Sequence, residues 1–481
     1  MKKTQPASPI LPGGYREMLT IAFPLILSMG SYTIMQFSDR VFLSRYSSVA
    51  IQAALPGGIL AHSLTCFFQA LAGYAGTFVA HYYGAKRHDQ CVHSTIQGLW
   101  LALFSWPLIL LLIPLGMAIM TWSGHSPTVL AAEKSYFTIL MMGGVFTPIN
   151  AAIGGYFMGI GKTKVNMIAN AAGCLINIGL NYLMIFGHGG FPRMGIEGAA
   201  IATIISSLLT CLIQFVIFLR EPAFHQAKQR RHETHHTTLW RPDRALLTRI
   251  VTFGSPHGLQ LLLDLGSFSL FILLTGRLGE LDLAASNIAF SINNLAFAPL
   301  LGFGMATATL VGQHQGANNA GAAQRAGYTG MKVGWIYMAL IGSTFLLFPK
   351  FYFTLFSPAD ATFSADELLK LGRKMLILMT VWGMFDSVGI IIAAALKGAG
   401  DTRFVMRAMI LGGWFMFVPG IVVCLLCDFG ILAMWLWCAL YILVFSICVL
   451  WRWIRGEWQQ ITLIEHAEPD AYLLTTKEDI Y

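Results

Sequence analysis

TFVAHYYGA (77–85) and TLVGQHQGA (309–317) are the two stretches that decide how this chain is built. Laid on one another, they share Thr77/Thr309, Val79/Val311, Gly84/Gly316 and Ala85/Ala317. The same offset carries Pro24 to Pro256. It also lays FLSRYSSVAIQAA (42–54) on LTGRLGELDLAAS (274–286), with Arg45/Arg277 and Ala53/Ala285 in common. GIGKTK (159–164) falls on GAGDTR (398–403) at a slightly longer offset, as a short insertion in the second half requires. The chain is therefore one design written twice.

The units that repeat are membrane spans. Of 481 residues 56% are hydrophobic and 11% charged, whereas a soluble domain carries about a quarter charged residues. Apolar runs of about 20 residues, enough to cross a bilayer as helix, recur from Glu17 to Trp453. They are too long and too evenly apolar for barrel strands. Twelve spans are expected, and the first run continues as a span, unlike a signal peptide. Six spans separate each matched pair, so the copies share one orientation. The expected fold is an all-α polytopic membrane protein, with two pseudo-symmetric six-helix bundles around a central cleft. The divisions are a cytoplasmic N-terminal tail (1–14), an N-lobe (15–219), a basic cytoplasmic linker (220–245), a C-lobe (246–454) and a cytoplasmic C-terminal tail (455–481). Such an architecture suits a carrier rather than an enzyme.

A net charge of +8 invites a nucleic-acid reading, but the distribution points elsewhere. Lys86, Arg87, Lys162, Lys164, Lys397, Arg403, Arg407 and the cluster from Arg220 to Arg249 all fall on one side. That asymmetry is the positive-inside rule, and it predicts a multi-pass protein of the cell (inner) membrane with both termini cytoplasmic. No nucleic-acid partner is expected; the bilayer is the partner. Cys424 and Cys427 are spaced like a metal half-site but have no second pair nearby, so the cysteines read as small packing residues. HETHH (232–236) satisfies the H-E-x-x-H pattern of zinc proteases, yet it lies in a polar connection without apolar periodicity. No transition metal and no cofactor is expected.

Three acids lie well inside apolar runs: Asp39 in the first span, Asp264 in the seventh and Asp386 in the tenth. A charge near the bilayer centre costs roughly 2.5–3.5 kcal/mol even on insertion scales, so such acids begin as functional candidates. Asp39 is followed by Arg40 and has an interfacial ion pair as its bland alternative. For Asp264, in GLQLLLDLGSFSLF, and Asp386, in MFDSVGIIIAAALKGAGDTR, the alternative is a hydrogen bond to another helix. LINIGLNYL (175–183) places Asn177 and Asn181 one above the other on a helical face. With Asp39 and Thr203 they could line a cation or proton site, or simply hold helices together. Asp401 reads as a cap or a local pair.

Taken in order across both halves, these pieces carry a resemblance. SDRVFLSR, FVAHYYGAKR, GIGKTK, LINIGLNYL, GIEGAAIAT, LVGQHQGANNAGAA and LKGAGDTR make the chain similar to the multidrug and toxic compound extrusion (MATE) transporters, in particular the NorM-like branch. The resemblance implies an antiporter that exchanges H+ or Na+ for bulky, mostly cationic organic compounds by alternating access. It implies a first-lobe coupling site at Asp39, Asn177, Asn181 and Thr203, and a second-lobe site at Asp264 and Asp386 with Trp382. Two departures stand out: Asp264 replaces a common glutamate, and Trp382 stands where a tyrosine often precedes the tenth-span acid. Tryptophan offers no oxygen to a metal ion, which favours H+ over Na+ in that lobe.

The expected cargo is organic cations and other amphipathic small molecules, for which aromatic faces and methionines are suitable partners, and the chain is expected to be monomeric. Two other readings are open at this point. A lipid-linked saccharide flippase of related fold would line its cleft with basic residues rather than acids. An intramembrane zinc hydrolase would have to be built on HETHH.

Overall fold

The computed structural model describes residues 11–235, 239–356 and 365–465, with backbone only at 230–235, 280, 355–356 and 365–366. Six helices build the N-lobe: α1 (Tyr15–Tyr46), α2 (Ser48–Gly84), α3 (His88–Leu111, continued by Ile113–Trp122), α4 (Pro127–Met142 and Phe146–Gly159), α5 (Thr163–Phe186) and α6 (Ile196–Leu219). A linker helix, Pro222–His235, follows. Six more build the C-lobe: α7 (Arg244–Thr275), α8 (Glu280–Gly316), α9 (Ala320–Leu347, continued by Pro349–Phe356), α10 (Ala365–Gly398), α11 (Thr402–Leu426) and α12 (Gly430–Arg455). Eleven helices are each long and apolar enough to cross a membrane, and the two arms of α4, bent by 43°, make a twelfth. The bend falls at Gly143 and Gly144, where Ile204 presses so closely that a Cβ on Gly143 would sit 2.4 Å from it.

Helix ends follow from local chemistry. The Ser47 hydroxyl accepts from the Val49 amide to start α2, Asp243 accepts from Ala245 and Leu246 to start α7, and Asn319 accepts from Ala322 to start α9. Gly187 closes α5 with φ +77°, a conformation that costs glycine little. The repeat persists in the turns: Lys86 after α2 and Asn318 after α8 both hold left-handed φ, +60° and +53°.

Helices of each lobe pack on the other in a matched way: α1 lies on α8, and α7 lies on α2. Tight packing between the lobes concentrates at the end carrying the basic residues, called here the basic end. Met18, Ile21, Ala22 and Leu25 enter the C-lobe core there, and Gly258 rests on Phe67. The GAGDTR turn is held at the same end by the Asp401 carboxylate, which accepts from Arg452 Nε at 2.7 Å. Asp401 is thus a local ion-pair partner. Of the cysteine pair, Cys424 is buried but Cys427 is exposed, so packing describes only the first. His236 of HETHH lies outside the described residues, as do the side chains of the four residues before it. Among the described residues no group of three or more His, Cys, Asp and Glu side chains could hold a metal.

Candidate functional site

In the N-lobe the sequence-chosen residues converge. Asn181 Nδ2 donates to Asp39 Oδ1 across α5 and α1. The same amide nitrogen reaches Asn177 Oδ1 at 2.9 Å, and Asn177 Nδ2 points at Thr203 Oγ1, 3.4 Å, and Ser206 Oγ, 3.5 Å, on α6. The four-residue spacing of the asparagines stacks them on the α5 face that α1 and α6 enclose, and both are fully buried. Asn181 Oδ1 is buried without a hydrogen-bond partner. A buried amide oxygen beside a carboxylate makes an oxygen pair chemically able to accept from a donor or to ligate a monovalent cation. Other participants were not legible in advance: Ser206, and Tyr32 and Tyr136, which with Arg40 lie within electrostatic reach of Asp39.

In the C-lobe, Asp264 on α7 and Asp386 on α10 stand close enough for their charges to act on each other. Asp264 is solvent-accessible although it lies mid-helix, and Asp386 is partly so. Around them α11 leaves the α-helical path: Ile410–Phe417 is π-helical, with Gly412 and Gly413 at its centre. Such wide turns recur at functional sites. From this segment Trp414 Nε1 donates to the carbonyl of Leu263, next to Asp264, at 3.1 Å. Tyr441 of α12 lies near both acids and donates to Met409 Sδ at 3.0 Å. Trp382 takes a different place: it is buried and stacks on Trp435, with ring centres 5.1 Å apart and planes nearly parallel. The phenol beside this acid pair therefore comes from α12 and not from the turn of α10 that precedes Asp386.

Lys397, which the charge pattern places on the basic side, ends α10 half-buried and acts electrostatically on Asp264 and His257. Gln260 Oε1 and His257 Nδ1, at two positions nearer the basic end on the Asp264 face of α7, are buried, and the two side chains interact with each other. No ion pair within 4.0 Å engages Asp39, Asp264 or Asp386 among the described residues. The interfacial pair with Arg40 does not form; Asp39 has an amide partner instead.

Membrane-length apolar helices in two lobes, with three acids inside them, suit a carrier better than a bundle of purely structural helices. Comparison with known proteins places it more finely. The MatE family pattern matches residues 24–183 and 256–426, and the chain belongs to that family of transporters. It is similar in structure to a MOP superfamily transporter from Pyrococcus furiosus described as having a binding pocket of reversed polarity (TM-score 0.83, 20% identity, 94% of this chain and 97% of that one). It is also similar to an outward-facing multidrug resistance MATE transporter (0.80, 19%, 94% and 97%) and to the eukaryotic MATE transporter AtDTX14 (0.80, 18%, 92% and 96%). These likenesses concern the fold, and the family assignment rests on the sequence pattern.

Proposed function

We propose that this chain exports amphipathic, mostly cationic organic compounds in exchange for H+ or Na+, by alternating access of the cleft between its lobes. The observation that carries this reading is that, among the described residues, no ion pair within 4.0 Å engages the three acids inside the helices, and an amide oxygen without a hydrogen-bond partner lies beside one of them. An acid held this way exchanges one cation for another at low cost. The membrane potential adds about 2.3 kcal/mol per elementary charge per 100 mV to each inward ion. In this scheme the basic end faces the cytoplasm, cargo enters there, and ion binding at Asp39 and at the Asp264/Asp386 pair accompanies its release outside. Trp414 and Tyr441 give the C-lobe acids aromatic neighbours suited to a flat organic cation. Acids rather than basic residues at mid-membrane favour cationic cargo over a pyrophosphate-linked saccharide. A monomer is sufficient, since both lobes come from one chain.

Counterflow in proteoliposomes tests the reading, with a fluorescent organic cation as cargo and a pH or Na+ gradient imposed separately. One gradient is expected to drive dye movement, and Asp386→Asn at equal incorporation is expected to abolish it. Dye movement indifferent to both gradients would sink the exchange mechanism.

A further inference from the structure

The repeat that opens the sequence also closes the molecule. His81 Nε2 lies 2.8 Å from the carbonyl oxygen of Gly398, the last residue of α10 in the opposite lobe. Gln313 Nε2 donates at 2.7 Å to the carbonyl of Gly159, the last residue of α4. His81 and Gln313 occupy matched places in TFVAHYYGA and TLVGQHQGA, and Gly159 and Gly398 occupy matched places in GIGKTK and GAGDTR. Each lobe thus donates from α2 or α8 to the C-terminal carbonyl of its counterpart's fourth helix. The last carbonyls of a helix have no intrahelical donor, so each lobe satisfies an acceptor the other leaves open.

The glycines complete the fit. A Cβ on Gly84 would sit 1.9 Å from the Gln313 carbonyl oxygen, and one on Gly316 would sit 2.0 Å from that of His81. These are the glycines the two stretches share, and only residues without side chains let α2 and α8 approach this closely. A third bond has no symmetry mate. Tyr74 Oη donates to the Lys397 carbonyl at 2.9 Å, whereas Ala306 stands at the matching place in α8. It fixes the backbone of the residue whose ammonium acts on Asp264.

We propose that His81–Gly398 and Gln313–Gly159 form a two-fold latch that holds the basic end of the cleft shut. Releasing it is the step that admits cargo from that side. The Tyr74–Lys397 bond ties the C-lobe half of the latch to Asp264, so the occupancy of that acid bears on one half more than the other. This rests on the alternating-access reading, but the latch is measured without cargo or gradient and stands or falls separately.

Pulsed spin-label distances test it, with labels at His88→Cys and Ala320→Cys, exposed matched positions beside the latch. Cys427→Ser removes the exposed native thiol. The native latch should give one dominant distance. His81→Ala with Gln313→Ala should add a longer one and raise the open-to-closed ratio roughly thirty-fold, the combined effect of two ordinary buried hydrogen bonds. Gly84→Ala should add the same longer distance by wedging the helices apart. His81→Gln, which restores a side-chain donor, should keep the native distribution. An unchanged distribution in both the double variant and Gly84→Ala would overturn the latch, as would His81→Gln behaving like His81→Ala.

Discussion

Asp39 and Asp386 are not symmetry mates: when the halves are superposed, Asp39 falls on Phe271, which is buried among aromatic rings of the C-lobe. Each acid has therefore been placed by its own lobe's needs, and each can be removed separately. Asp39→Asn keeps the shape and takes away the charge that the Asn181 amide faces. Losing one charge-assisted contact, about 1.5–3 kcal/mol, corresponds to roughly ten-fold or more in ion affinity. Dye efflux from energised cells should fall accordingly at unchanged abundance, and native efflux by this variant would remove Asp39 from the coupling step. How the residues could be read in advance differs by kind. Asn177 and Asn181 were legible because two amides one turn apart in an apolar run must share a face. Ser206, Tyr136, Trp414 and Tyr441 were not, because a serine or an aromatic in a span is ordinary until a partner helix is known to face it. The reach of Lys397 to Asp264 was missed for a related reason: its position at a helix end obeys the positive-side bias, which hides that it acts on Asp264 of α7.

Helices here are held by what glycine leaves out and by what caps supply. Gly76 of α2 and Gly155 of α4 face each other backbone to backbone, and a Cβ on Gly76 would sit 2.7 Å from the Gly155 Cα. Gly159, one turn on, meets the Val79 side chain, to which a Cβ would come within 2.7 Å. Gly76→Leu should lower the melting temperature in detergent by several degrees, since overpacking a filled site costs about 1–3 kcal/mol; an unchanged melt would show that the helices can part without loss. At the start of α7, Asp243 Oδ1 accepts from two backbone amides while Oδ2 meets His93 at 3.2 Å. Burial pushes this carboxyl up, but the His93 bond and the amides outweigh it and hold it below its ordinary value. A depressed carboxyl contributes stability above its unfolded pKa and loses that contribution as pH falls through its folded one. Asp243→Asn, which keeps the cap but gives up the charge facing His93, should therefore cost about 1 kcal/mol at neutral pH. The difference from the native chain should shrink in acid below the usual carboxylate range, and a gap of constant size down to acid pH would contradict the assignment. The twelve spans were legible element by element from hydropathy, but the bend in α4 and the π-helical stretch of α11 were not. Paired glycines mark both, and glycine pairs permit many departures from the α-helix without naming one.

Orientation is the property of the whole molecule from which every functional step takes its direction. The latch lies at the basic end, so cargo is admitted from the cytoplasm only if that end is cytoplasmic; were the chain inverted, the same geometry would describe an importer. Charge counting argues for one choice because Lys and Arg near the ends of short loops resist translocation. The molecule carries its own reporter. Cys427, between α11 and α12 at the end opposite the latch, is exposed, while Cys448 is half-buried and the other six cysteines are buried. A membrane-impermeant maleimide added to intact cells should label the native chain, and Cys427→Ser should remove that labelling. In the Cys427→Ser background, Ala320→Cys, exposed at the basic end, should react only after the membrane is permeabilised. The opposite pattern, with Ala320→Cys reacting in intact cells and Cys427 protected, would reverse the direction of transport while leaving the acids, the latch and the two-lobed fold where they are.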